Sequence, residues 1–338
     1  MFTKDIGIDL GTANTLVYMR NKGIIIREPS VVAVNTRTDK CRYVGKEAKD
    51  VIGRTPGSIV AVRPLKDGVI ADFDIATTML QEFIKKAMKG TILTKANVII
   101  CIPSGVTAVE RRAVRESCKK AGAQNVLIVE EPMAAAIGAG LPTTSPTGCM
   151  IVDIGGGTSE VAVVSLGGIV ASRSIRCAGD AFDASIINFI KKKYNLLIGE
   201  RTAENIKIEI GSAFPSENEE TMEIKGRNLL NGLPENITIS SAEIRDALVE
   251  PLAKVIDAIK VTLESTPPEL SADIIDQGIT LAGGGALLRG LDKLINRETG
   301  MPVYIAEYPL DCVAEGTGKI LENIEQYQDA LTENVKYY

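Results

Sequence analysis

The spacing of apolar and polar positions changes several times along the chain. In "DIGIDLG", "TLVYMR" and "GIIIREPSVVAV" apolar residues crowd into short runs closed by glycine or proline, which predicts consecutive strands near the start. In "ATTMLQEFIKKAMK" the period lengthens. Met79, Leu80, Phe83, Ile84 and Ala87 recur at helical spacing, and "NVIICIPSG" then reads as a continuous buried strand. A helix "AVERRAVRESCKKAGA", a strand "NVLIVEEP" and a small-residue helix "MAAAIGAG" follow. Proline and glycine in "LPTTSPTG" (141–148) mark a boundary, after which the pattern restarts. Hairpin strands "CMIVDIGGGTSEVAVVSLGG" come first, then a strand around "IVASRSIR" and a helix "DAFDASIINFIKKKYN". The polar stretch 215–239 predicts a smaller excursion of strands and turns. Strands alternating with helices predict an α/β sheet, and the restart predicts two related halves.

Length and composition narrow the classes. At 338 residues the chain suits about two domains, and 45% apolar with 24% charged residues is an ordinary globular balance. The net charge of −5, without a long basic run, gives no footprint for nucleic acid. Six cysteines are scattered without a paired spacing, and the first strand begins close to Met1, so a reduced cytoplasmic chain without a secretory leader is the expectation. No apolar run approaches the ~20 residues that span a bilayer. Histidine is absent, which removes Ser-His-Asp and Cys-His catalysis and histidine metal sites. Chemistry must rest on carboxylates, hydroxyls, lysines, backbone amides and a hard cation.

Two turns supply such groups. In "IDLGTANT" and "IVDIGGGTS" an apolar strand delivers an aspartate, Asp9 or Asp153, into small residues and hydroxyls: Gly11-Thr12 in one, Gly155-Gly156-Gly157-Thr158 in the other. Glycine lets backbone amides approach an anion, and hydroxyls add donors. An aspartate there would repel phosphate unless a divalent cation lies between, the arrangement Mg²⁺ prefers. Two such turns could clamp a nucleotide polyphosphate and its metal from both sides, although either alone also reads as a plain hairpin. A third turn, in "GITLAGGGALLRGL", lacks the aspartate. It suits contact with a nucleoside through Gly284, Gly285, Ala286 and Leu287, and equally suits tight strand–helix packing. "EGTGKI" (315–320) lacks both ends of a Walker A loop, and no dinucleotide fingerprint follows a strand.

The segments "IGIDLGTANT", "VEEPMAAAIGAGLP", "VDIGGGTSEVAVVSLGGI", "IGERTAENIKIEIG", "TPPELSADIIDQGITLAGGGALLRGLD" and "DCVAEGTGK" resemble the bacterial actin MreB/Mbl family over essentially the whole chain. More widely they resemble the actin, hexokinase and DnaK-type ATPases. The resemblance implies an actin-like ATPase fold: two duplicated α/β domains, each with a smaller subdomain, around a nucleotide cleft. Domain I would comprise 1–145 with 312–338 (subdomain IB about 33–65), and domain II 146–311 (subdomain IIB about 182–245).

It also implies roles. Thr12, Ala13 and Asn14 match the first phosphate hairpin, and Gly155, Gly156, Gly157 and Thr158 the second. Glu204, Asn205, Ile206 and Lys207 match nucleoside contacts, although Glu204 and Lys207 alone read as a surface ion pair. Asp9 and Asp153 match the residues that hold Mg²⁺ through water. Glu131 matches the glutamate that orients the attacking water, with Thr158 beside it; read alone, Glu130 and Glu131 are two acids favoured at a helix start before Pro132. Ser159 stands where relatives usually carry threonine. The implied function is ATP hydrolysis coupled to polymerisation, as paired protofilaments on the inner face of the cytoplasmic membrane that guide cell-wall elongation and rod shape. The implied partners are the chain itself, that membrane and the membrane proteins of the elongation machinery, and no nucleic acid. A membrane contact would use Phe2, Ile92 and Leu93, the latter two set between lysines. A sugar kinase would need a substrate cleft with its own base, and a chaperone ATPase a long substrate-binding region after the nucleotide domain.

Overall fold

A computed structural model describes residues 3–38, 40–52, 57–88 and 95–331. Two five-stranded sheets carry it, and their topologies are the same. In the first, strands Thr3–Leu10, Asn14–Met19 and Gly23–Pro29 form an antiparallel meander, and Lys95–Ile102 and Ala123–Glu130 add in parallel beside the first strand. In the second, Cys149–Ile154, Ser159–Ser165 and Gly168–Ile175 form the meander, and Ile279–Ala282 and Val303–Ile305 add in parallel. The restart in the hydrophobic pattern is therefore a repeat of strand order. The Asp9 and Asp153 turns occupy equivalent corners, each joining the first two strands of its meander.

Each sheet has a small three-stranded companion. Val32–Asn35 sits between Lys40–Val44 and Ile59–Val62 in one. Thr221–Asn228 sits between Leu196–Leu197 and Pro234–Ser240 in the other, where the polar excursion was expected. The run "GIIIREPSVVAV" is thus two strands, because the chain breaks at Ser30-Val31 to enter the small sheet.

The helices follow their patterns. Phe73–Ala87 buries Met79, Leu80, Phe83, Ile84 and Ala87 along one face, and the Asp72 side chain caps it by accepting from Ile75 N at 3.0 Å. Ala108–Lys120 starts with a reciprocal Thr107–Glu110 capping box, and it ends before the expected Ala123, which already opens a strand. The long helix Ser241–Glu264, with Pro251 inside it, was not foreseen.

The two halves meet in a shared core. Met133, Ala134 and Ile137 of helix Glu131–Gly138 pack with Cys312, Val313, Ile320 and Leu321 of helix Cys312–Glu322, between Ile99 and Leu127 of one sheet and Ile151 and Ala162 of the other. The glycines set aside as a false phosphate loop serve this packing. A Cβ on Gly316 would meet the Ala134 carbonyl, and one on Gly318 would lie 2.5 Å from the Tyr18 ring. Among the described residues no helix is long and apolar enough to cross a membrane.

Candidate functional site

The two aspartate turns face each other. A Cβ added to Gly156 would lie 2.6 Å from Ala13 Cβ, and one on Gly157 would lie 2.6 Å from Thr12 Oγ1. Glycine is needed here because backbone must pass close to backbone. The first turn is braced from below: Ser30 Oγ donates to the Gly11 carbonyl at 2.6 Å, and Ser30 N donates to the Ala13 carbonyl at 3.0 Å. Thr12 Oγ1 accepts from Gly68 N at 3.0 Å. The second turn closes on itself through Gly155 N donating to the Thr158 carbonyl at 2.9 Å. Its Gly155 and Gly156 carbonyls accept from Gly179 N and Asp180 N at the start of helix Gly179–Tyr194. Ser159 Oγ donates to the Cys177 carbonyl at 2.6 Å, so this hydroxyl is engaged with the backbone.

Acids gather beneath the turns. Asp153 is 6% exposed and Asp9 half-buried. Burial and then the Asp153 charge push the Asp9 carboxyl up to about 8, while burial and Glu160 push Asp153 up to about 7. Glu131, 8% exposed at the head of its helix, is raised well above the usual range by burial and by Glu160, Asp9 and Asp153. Glu130 is half-buried and raised by burial, with Arg111 pulling the other way. After burial, the charges that disfavour ionisation at Glu131 are those of Glu160, Asp9 and Asp153, in that order.

Carboxylates crowded until protons are held near neutrality fit a divalent cation. Among the described residues no group of three or more acidic or sulfur side chains converges to hold an ion. Mg²⁺ keeps several waters and takes one or two carboxylates plus phosphate oxygens. Asp9 and Asp153 are the residues that would hold it.

The remaining predicted residues divide. Lys207 reaches the start of the helix that packs on the second turn: its Nζ donates to the Gly179 carbonyl at 3.1 Å and pairs with Asp183 at 2.8 Å. Glu204 instead pairs with Lys49 of the other half at 3.0 Å, so the two residues do not form the ion pair with each other that their spacing allowed. A second pair between the halves is Arg63–Asp180 at 3.0 Å. Asn205 is exposed, whereas Ile206 faces the core of the second half and can offer the cleft only its backbone. The third glycine turn, Gly284–Leu287, backs onto the second: a Cβ on Gly283 would meet the Asp153 carboxylate, and one on Gly285 would meet Ile154. Ala286 is buried in this packing and Leu287 is exposed. Phe2, Ile92 and Leu93 lie outside the described residues. Sequence reasoning passed over Lys49, Arg63, Ser104 and Glu160. Only Glu160 carried a signal, as an acid inside an otherwise apolar run.

The profile of the family described as MreB/Mbl protein matches residues 3–329. The chain is 54% identical over 326 residues to the cell shape-determining protein Mbl of Bacillus cereus, covering 96% of this chain and 98% of that one. It is 54% identical over 334 residues to the cell shape-determining protein MreB of Escherichia coli, covering 97% and 96%. The crystal structure of MreB 5 of Spiroplasma citri bound to AMPPNP matches with a TM-score of 0.92 at 43% identity, over 97% of this chain and 99% of that one. The same protein bound to ADP also matches at 0.92.

Proposed function

The chain belongs to the MreB/Mbl family and has its actin-like fold, and on that premise we propose that it binds ATP with Mg²⁺ between its two halves, hydrolyses it and assembles into filaments that determine cell shape. One observation carries the reading: two topologically identical sheets present the same acid-then-glycine corner to each other across one cleft. The AMPPNP and ADP held by the Spiroplasma citri relative support an adenine nucleotide as the occupant.

In this reading the amides and hydroxyls of Thr12, Ala13, Asn14 and Gly155 to Thr158 bind the phosphates, and Asp9 and Asp153 would hold a hydrated cation, which when bound would supply positive charge against that developing on the transferred phosphoryl group. Glu131 accepts a hydrogen bond from the attacking water and takes its proton as the bond to the γ-phosphorus forms and the bond from that phosphorus to the departing ADP oxygen breaks, with the Thr158 hydroxyl helping to place that water. A carboxyl with a raised pKa suits this, since a general base is most effective when its pKa approaches the working pH. Lys207 and Glu204 flank the nucleoside, with the Gly284–Leu287 turn opposite. We assign residues 1–145 with 312–338 to one domain and 146–311 to the other, their smaller lobes about 33–65 and 182–245.

Since the nucleotide touches both halves, ATP favours their closed arrangement and ADP relaxes it. Filaments would lie on the inner face of the cytoplasmic membrane, through Phe2, Ile92 and Leu93, and would work with membrane proteins of cell-wall elongation. Phosphate release and pelleting, measured together with ATP, ADP and no nucleotide, test the core of this function. Mg²⁺-dependent release with pelleting in ATP supports it, and equal pelleting in all three conditions refutes the coupling.

A further inference from the structure

We infer that Glu160 is a positioning residue for hydrolysis: its carboxylate ties Ser104 of the first half to the second phosphate turn and so sets the placement of Glu131 relative to Thr158. The inference rests on the ATPase reading above. Glu160 lies two residues beyond Thr158 and is 1% exposed. One of its carboxylate oxygens accepts from Ser104 N at 3.1 Å and from Ser104 Oγ at 2.5 Å. The other accepts at 2.5 Å from Ser174 Oγ, its directly opposite neighbour in the next strand.

Ser174 and Glu160 belong to one sheet, but Ser104 belongs to the other half. Ser104 follows strand Lys95–Ile102, whose last residue, Ile102, pairs with Glu130, the residue before Glu131. The path from Thr158 to Glu131 thus runs along a strand, through a buried carboxylate to Ser104, and across a parallel ladder. None of these links is a flexible surface side chain. Packing reinforces the path, because a Cβ on Gly68 would lie 2.6 Å from Pro103 Cγ and 2.8 Å from Thr158 Cγ2. Pro103, next to Ser104, therefore sits against the same small loop as Thr158.

A carboxylate is a costly way to join two strands in a core, where an apolar pair would serve. What it supplies is a directional link between the two halves. Glu131 and Thr158 stand on different halves, and a water held by both is well placed only while the halves keep one register. A misplacement of about 1 Å in such a site can cost about 10²-fold in rate.

The test uses the full-length protein and measures kcat and KM for phosphate release from Mg·ATP, with AMPPNP-driven pelleting as the control for folding and binding. E160A is expected to lower kcat by about 10- to 100-fold with KM within about threefold. E160Q keeps an oxygen for Ser104 and an amide for Ser174, and is expected to recover most of that loss. S104A should fall between them, and S104A/E160A should be no slower than E160A, as for residues in one link. If E160A fails the pelleting control, S104A and E160Q carry the test, S104A lowering kcat and E160Q leaving most of it. An E160A kcat within twofold of wild type, an E160Q as slow as E160A, or additive losses in the double variant overturns the inference while leaving the ATPase intact. A wild type that releases no phosphate refutes both.

Discussion

Gly156→Ala perturbs the site at the point where its two turns touch. The added methyl would lie 2.6 Å from Ala13 Cβ and 3.1 Å from Ala13 N. Carbon atoms in favourable contact are about 3.5–4.0 Å apart, so the turns must separate by about 0.9 Å at least. Neither atom can rotate away, since one is a Cβ and the other is backbone. The cheapest relief is a small opening of the cleft, which leaves both sheets and the shared core intact. Stability should therefore change little, the more so because glycine to alanine also narrows the unfolded ensemble by about 0.4–1 kcal/mol. Function should change greatly: nucleotide affinity should fall about tenfold or more and phosphate release by about 10²-fold.

Fluorescent-nucleotide titration, phosphate release and thermal melting separate these effects. Gly316→Ala is the contrasting control, because its methyl meets the Ala134 carbonyl inside the packed helix pair. That variant should lose about 1–3 kcal/mol of stability, the usual cost of overpacking. Ala13→Gly combined with Gly156→Ala removes the closest contact and should restore part of the affinity, a coupling that distant sites would not show. Wild-type affinity and turnover in Gly156→Ala would refute the facing of the two turns.

Three further outcomes are expected. Burial and neighbouring acids push Asp9 up to about 8 and Asp153 up to about 7, above the ordinary aspartate range, so the stabilisation they contribute without nucleotide is complete below about pH 4 and is lost as pH rises through 7 to 8. Affinity for Mg·ATP should rise over pH 6 to 8 as those protons leave, and melting curves with and without Mg·ATP that stay parallel across this range would contradict it. Glu131→Ala should keep affinity within a few-fold and slow phosphate release about 10²-fold, whereas Glu130→Ala should stay within about threefold; the reverse ranking would move the base to Glu130. Ile92→Ser/Leu93→Ser should still pellet with ATP but no longer co-sediment with anionic liposomes, because two apolar side chains and lysines worth about 1 kcal/mol each hold only a multivalent filament; retained binding would place the membrane site elsewhere.

Much of the fold was legible because it is built from local periodicities. The face of helix Phe73–Ala87 could be read residue by residue, since its neighbours in sequence are its neighbours on the surface. The duplicated corners could be read because aspartate followed by glycines and a hydroxyl is a local statement about backbone geometry. Helix Ser241–Glu264 was missed for the complementary reason. Pro251 reads as a breaker within its segment, yet its carbonyl accepts from Cys177 Sγ at 3.5 Å and its ring is buried among neighbouring elements. Tertiary packing overrode the local preference there.

The site divides along the same line. Residues whose place depends on local backbone geometry, such as Gly156 and Gly157, could be named from the sequence. Lys49, Arg63 and Ser104 could not, because each acts through a partner 155, 117 or 56 positions away. Periodicity is silent about such pairs. Strand Ser159–Ser165 shows the limit most clearly: every one of its residues is buried, so no alternation tells which face Glu160 occupies. An acid in a strand buried on both faces must find donors or another charge, and that requirement is itself readable. What the sequence withholds is where the donors come from. Ser174 answers from the same sheet as Glu160 and Ser104 from the turn after a strand of the other, and this is how one carboxylate comes to join the halves.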